Sequence, residues 1–311
     1  MKIAIFGTGG VGGFFGGRLA RADEEVIFIA RGEHLRAIQA NGLKVDSIMG
    51  DFVIDPAQAA DEPSQVGPVD VVIVGVKAWQ VPQAAQAMRP MVADKTFVVP
   101  LENGVEAPAQ LASVLGAEHV LGGLCQLSAY LAGPGYIRHV GIEPYIAFGE
   151  MDRRPSRRTG RLHQAFERAG VKATIPDDIQ AAMWDKFLFI AAISGVGAVT
   201  RAPVGAFRQL PETRQMLVAS MQEIVTIARR RAVGLPDDAV EKRLAFIDNI
   251  GANVMASMQR DLMEGRPSEL ESQNGAVVRM GKELGVPTPV NSFLYASLLV
   301  QEKRARGEIV Y

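Results

Sequence analysis

The chain opens on Lys2-Ile3-Ala4-Ile5-Phe6, a short apolar run, and passes at once into Gly7-Thr8-Gly9-Gly10-Val11-Gly12, the pattern G-x-G-x-x-G. Few features constrain a fold so tightly, because each glycine answers a separate backbone demand. Gly7 permits the tight turn out of a strand, Gly9 lets the backbone approach a pyrophosphate, and Gly12 allows close helix–strand packing. The residues that follow, from Gly13 to Ala20, read as a helix with small residues on one side. Its amino end offers free N–H groups and the positive end of a dipole to phosphates. The bare pattern is a weak signal; the strand before it and the helix after it are the context that makes it a dinucleotide fingerprint.

Strand and helix continue to alternate through the first half. Strands are expected over 25–30, 69–76, 96–100 and 119–124, with helices over 32–40, 78–88 and 107–115 between them. The run Val69-Asp70-Val71-Val72-Ile73-Val74 is almost wholly apolar, as a parallel strand covered on both faces requires. Between 126 and 149 the pattern changes to short strands around Gly133-Pro134-Gly135, which reads as an antiparallel extension of the sheet. The segment 151–159 is charged and turn-rich, and a helix is expected over 160–169. Beyond Pro176, helices are expected over 178–194, 211–232, 237–263, 268–284 and 290–303, with Asp177 or Asp178 as the first N-cap. The fold class is therefore α/β: a Rossmann-type, doubly wound parallel-sheet domain over 1–176, followed by an all-helical domain over 177–311.

Composition narrows the function. The 311 residues carry 33 Lys+Arg against 34 Asp+Glu and no long basic block, so nucleic acid is not expected as a partner. Arg229-Arg230-Arg231 more simply complements a helix end. Cys125 is the single cysteine, which rules out an internal disulfide and a cysteine metal cluster and suits a reducing cytoplasm. The four histidines, His34, His119, His139 and His163, lack ligand spacing, so no metal is expected. The first apolar stretch ends too soon for a signal peptide. The longest one, 187–199, reads as a buried core helix rather than a membrane span.

Several residues stand where chemistry is done. Arg31 ends the second strand, 19 positions after Gly12, where an NAD site usually carries an acid for the ribose 2′-hydroxyl. An arginine there suits the 2′-phosphate of NADP, although it also reads as a solvated side chain. Lys77 closes the strand over 69–76 at its ligand-facing end, or is simply the first exposed residue beyond it. Asn103 lies in Glu102-Asn103-Gly104, which is first of all a turn signal. Lys186 begins the most apolar helix, where loss of hydration would make its ammonium a better proton donor; a snorkelling lysine is the plainer reading. Glu269 sits where an acid favours a helix start, and Ser257 reads equally as a packing residue.

Taken together, these segments resemble the ketopantoate reductase (2-dehydropantoate 2-reductase) family, over essentially the whole chain. The resemblance is carried by the glycine loop, Arg31, Val76-Lys77-Ala78-Trp79-Gln80, Glu102-Asn103-Gly104, and Pro134-Gly135-Tyr136-Ile137-Arg138-His139. It continues through Trp184-Asp185-Lys186, Ser257-Met258-Gln259-Arg260-Asp261, Ser268-Glu269-Leu270 with Asn274-Gly275, and Pro287-Thr288-Pro289-Val290-Asn291. It implies a pantothenate-pathway enzyme in which NADPH gives hydride to the keto carbon of a small 2-oxo acid, across a cleft shared by the two domains. Gly7, Thr8, Gly9, Gly10, Val11, Gly12, Arg31, Lys77 and Asn103 would hold the cofactor. Lys186 would protonate the developing alkoxide. Glu269 would bind the substrate hydroxyl and pair with that lysine, and Ser257 would contact the carboxylate, with Asn103 between cofactor and substrate.

One departure stands out. The family usually shows asparagines four and eight positions after the lysine, where this chain has Ile190 and Ser194. Both share the Lys186 face of the helix and are expected to line the substrate pocket, which becomes less polar. A 3-hydroxy acid dehydrogenase of the β-hydroxyacid type, or a non-catalytic NADP-binding sensor, is the competing reading; Arg31 argues against the first, and Lys186 with Glu269 against the second. A homodimer is allowed but not specified, and no membrane partner is expected.

Overall fold

The structure, a computed structural model, describes all residues from Met1 to Tyr311. Its contacts divide the chain into two units, residues 1–102 with 106–179, and residues 103–105 with 180–311. Asn103–Val105 follows a strand of the first unit yet packs with the helices of the second, a finer division than a cut at Pro176.

The first unit is the parallel-sheet domain. Its elements are β1 (Lys2–Phe6), α1 (Gly10–Arg21), β2 (Glu25–Ile29), α2 (Gly32–Asn41), β3 (Leu43–Ser47), β4 (Phe52–Ile54), β5 (Gln58–Ala60), α3 (Pro63–Val66), β6 (Val71–Val74), α4 (Val81–Ala87), β7 (Phe97–Pro100) and α5 (Ala107–Leu115). There follow β8 (Leu121–Gln126), β9 (Ala129–Gly133), β10 (Tyr136–His139), β11 (Tyr145–Glu150), α6 (Arg157–Arg168) and β12 (Lys172–Thr174). A five-stranded sheet runs in the order β5-β2-β1-β6-β7, and every pairing in it is parallel. Alternation along β1 supplies both cores: Ile3 and Ile5 pack with Phe14, Phe28 and Phe166 on one face, Ala4 and Phe6 with Val81 and Leu111 on the other.

The segment around Gly133-Pro134-Gly135 does not extend this sheet. β9 and β10 form the expected antiparallel hairpin, but β10 pairs parallel to β3, giving a separate sheet in the order β4-β3-β10-β9. The reason lies in α1, which carries glycines on two faces. A methyl on Gly12 or Gly16 would strike Ile5 of β1, whereas one on Gly10, Gly13 or Gly17 would strike Ala129, Ile137 or Phe52 of the second sheet. The helix is thus clamped between two sheets. Strands β4, β5 and β12, of three residues each, are too short to stand out as periodic runs, and β3 offers only Leu43 and Val45 as apolar residues. The strand near 119–124 lies at Leu121–Gln126 instead; it packs beside β7, where a Cβ on Gly123 would strike the Pro100 carbonyl, but the only ladder pairing there is the isolated Val98–Val120 bridge just before it, and it pairs antiparallel with β11 in a third sheet.

The second unit is helical: α7 (Ile179–Thr200), α8 (Val204–Phe207), α9 (Pro211–Arg230), α10 (Ala239–Asn249), α11 (Ser257–Met263), α12 (Asn274–Leu284) and α13 (Pro289–Ala305). Helix α7 is long and apolar enough to cross a membrane, but 67% of its apolar window is buried in the protein, as a core helix requires. Two expected helices are corrected. The one over 237–263 breaks after Asn249, where the carbonyls of Ala252 and Val254 accept from Gly205 and Val204 N–H, at 2.8 and 3.0 Å. The one over 268–284 begins only at Asn274, because the backbone before it is held by the α13 carboxylate of Glu302.

Candidate functional site

The glycine loop shows how sequence sets backbone. Gly7 takes φ +98° and lies so close to Gly75 and Val76 that a side chain would collide with both. A Cβ on Gly12 would fall 2.1 Å from the Gly7 carbonyl oxygen, so helix and turn can touch only without it. Gly9 is different: nothing lies within 4 Å of where its Cβ would be. That open space faces the start of α1, and the N–H groups of Gly9, Gly10 and Val11 have no backbone acceptor. A bare cradle with free donors at a helix amino end fits a pyrophosphate. Thr8 is buried and anchored, its N–H and Oγ1 both donating to the Ile29 carbonyl, at 3.3 and 3.0 Å.

Arg31 is exposed at the N-cap of α2. A cation at a helix amino end is unfavourable until an anion joins it. Lys77 is exposed three residues beyond β6, with its ammonium 5.7 Å from the Trp79 ring centroid. All three of Gly7, Arg31 and Lys77 follow the carboxyl ends of parallel strands, the ligand-binding edge of such sheets. A shallow depression of about 330 Å³ opens at the opposite edge, among Lys2, Asp70 and Thr96. Its groups already serve the fold, with Lys2 N–H donating to Asp70 at 2.8 Å and Thr96 Oγ1 to the Val69 carbonyl at 2.6 Å.

In the helical unit, α7 presents Lys186, Ile190 and Ser194 at successive turns of one face. Lys186 and Ile190 are half-buried, and Ser194 is fully buried with no partner for its hydroxyl. The neighbouring carboxylate, Asp185, is taken by a two-pronged pair with Arg243 (Nε to Oδ1 2.8 Å). Glu269, 5% exposed, accepts from Asn103 Nδ2 at 3.1 Å. The Asn103 amide thus engages the acid that the resemblance pairs with Lys186. Asn103 therefore lies in a turn and also has its side chain engaged. Gly104 makes the turn at φ +122°, where a Cβ would fall 3.0 Å from the Ser272 carbonyl oxygen, while the Asn103 amide reaches the acid. Ser257 is half-buried at the first position of α11, apart from this hydrogen bond.

Sequence reasoning missed what holds Glu269. Glu302, 1% exposed on α13, accepts from Ser268 N–H at 3.0 Å and from Ser268 Oγ at 2.5 Å, and its own charge is met by Arg306 at 2.6 Å. The Glu302–Arg306 spacing reads as an ordinary surface pair, so nothing in sequence marked it as buried. Gln273 was missed too: both its amide atoms are buried without partners, as is Ser194 Oγ. Buried polar atoms are nearly always bonded, and such exceptions are completed by water or ligand.

A parallel sheet with this loop at its carboxyl edge, joined to helices that carry a lysine and a buried acid, makes the chain a nicotinamide-dependent oxidoreductase. Comparison with known proteins narrows the class. The family model for ketopantoate reductase PanE/ApbA matches residues 3–153, the model for the C-terminal part of that family matches residues 178–302, and the chain belongs to the ketopantoate reductase family. It is similar to the crystal structure of a PanE/ApbA family ketopantoate reductase from Ralstonia eutropha JMP134, with a TM-score of 0.90 and 33% identity over 98% of this chain and 100% of that one. A 2-dehydropantoate 2-reductase structure from Geobacter metallireducens GS-15 gives 0.89 and 31%, over 96% and 99%. A 2-dehydropantoate 2-reductase from Mesorhizobium japonicum is 29% identical, over 93% of this chain and 94% of its own.

Proposed function

We propose that this protein reduces a 2-oxo acid to the 2-hydroxy acid with NADPH, with 2-dehydropantoate as the reference substrate and Lys186 as general acid. The observation that carries the reading is the Asn103–Glu269 hydrogen bond, which joins two of the implied substrate residues from distant parts of the chain. NADPH, when bound, supplies the hydride. The glycine cradle of Gly7 to Gly12 would hold its pyrophosphate, and exposed Arg31 supports a 2′-phosphate over a bare ribose. As the carbonyl carbon gains hydride, its oxygen takes up the electron pair, and the Lys186 ammonium donates the proton that neutralises it. Half-buried, that amine remains open to reprotonation from water. Glu269, oriented by Asn103, accepts from the hydroxyl so formed, and the buried Ser194 hydroxyl is a donor still to be used.

Ile190 gives the Lys186 face an apolar surface. We infer a 2-oxo acid bulkier or less polar than 2-dehydropantoate as the better substrate. An NADPH-oxidation assay over a panel of 2-oxo acids, repeated with NADH, tests both statements. No turnover of any 2-oxo acid overturns the reductase reading. A clear preference for 2-dehydropantoate, unmoved by Ile190→Asn, overturns the substrate refinement alone.

A further inference from the structure

The carbonyl of Thr8, at the centre of the glycine turn, accepts from a side chain. His34 Nε2 lies 2.7 Å from it, and the other ring nitrogen, Nδ1, lies 2.9 Å from the backbone N of Gly135. The second contact settles the first. A backbone N–H can only donate, so Nδ1 is the bare nitrogen and the proton sits on Nε2, pointing at Thr8. Burial, the larger effect, pulls the His34 pKa below its usual value against the raising effect of the Thr8 carbonyl, which favours this neutral form. An imidazolium would set an N–H against the Gly135 N–H.

We propose that His34 is a positioning residue for the dinucleotide: by holding the Thr8 carbonyl it fixes the Thr8–Gly9 peptide plane, and so aims the Gly9 N–H at the phosphate. In a planar trans peptide the C=O and N–H vectors are opposed, so a carbonyl tied to His34 turns the next N–H away from it. That N–H is one of the free donors around the open space at Gly9. The ring is itself well held. His34 lies in the first turn of α2, and Gly135, at φ +71° in the β9–β10 turn, is packed so near Ala37 that a Cβ would sit 3.1 Å from its methyl. The second sheet thereby reaches the Thr8 carbonyl through this imidazole, in addition to its close approach to Gly10 at Ala129.

The inference rests on the dinucleotide reading, and direct binding separates the two. NADPH is titrated into the apo protein by calorimetry, with unfolding followed in parallel. His34→Leu is expected to weaken NADPH by about 10-fold, the worth of one good hydrogen bond, with kcat and the 2-oxo acid KM at saturating NADPH within about twofold. His34→Gln, which keeps a donor for Thr8, is expected to recover most of the affinity. His34→Asn keeps an acceptor for Gly135 but falls short of Thr8, so it is expected to bind as weakly as His34→Leu, and it carries the test should the leucine variant not fold. Nitrogen NMR of the wild type is expected to show the Nε2–H tautomer. Wild-type affinity in His34→Asn, or a proton on Nδ1, overturns the inference. Failure of the wild type to bind any dinucleotide overturns the functional reading and this one with it.

Discussion

Asn103 Nδ2 donates to Glu269 Oε2 at 3.1 Å across 166 positions of sequence, within the helical unit. An amide that gives a hydrogen to a buried carboxylate fixes the direction of that acid. Glu269→Gln is expected to lower kcat/KM for the 2-oxo acid by about 10- to 100-fold, and Asn103→Ala by about 10-fold. The double variant should lose less than the product of the two, because the residues act as a pair. Additive losses would separate their roles.

Lys186→Ala is expected to reduce kcat by about 100-fold or more, as loss of a general acid does, while NADPH binding persists. The amine makes no ion pair that its removal would break, so thermal unfolding should change little. Near-normal turnover would remove Lys186 from the mechanism.

Arg31→Asp is expected to shift preference from NADPH toward NADH by at least about 10-fold in the ratio of their Kd values. The side chain is exposed, so the folded state has no use for it that the substitution would disturb. Equal NADPH affinity in the variant would place the 2′-phosphate elsewhere.

The glycines of the loop should separate folding from binding. Gly12→Ala puts a methyl 2.1 Å from the Gly7 carbonyl oxygen, and is expected to cost about 1–3 kcal/mol of stability. Gly9→Ala meets nothing within 4 Å and should melt like the wild type, yet weaken NADPH by about 10-fold or more by filling the cradle. If Gly9→Ala binds NADPH normally, the pyrophosphate lies elsewhere.

Stability in alkali is expected to depend on Tyr295. Burial first, and then its hydrogen bond to Glu271, push its phenol up from 10 to about 12. The unfolded chain thus loses this proton before the folded one does. The contribution is fully present below pH 10 and is lost as the pH climbs to about 12. Tyr295→Phe should flatten the fall in unfolding free energy over that window, as measured by denaturant titration. An unchanged slope would assign the alkaline loss to other groups.

The sequence by itself determined the class of fold and where most of the main strands and helices lie. Those features are local: a glycine pattern read by the backbone, an apolar run with period two, a helix matched at both ends over Ala107–Leu115. It also named Asn103 and Glu269, but not that they touch. Tertiary structure decided the rest. Only packing shows that the glycines Gly10, Gly13 and Gly17 face a second sheet, that Asn103–Val105 joins the helices, and that Glu302 is buried beneath Ser268. A side chain in sequence carries its chemistry, whereas its burial and its partners depend on segments brought together from far along the chain, and these set a carboxylate's direction or an imidazole's tautomer.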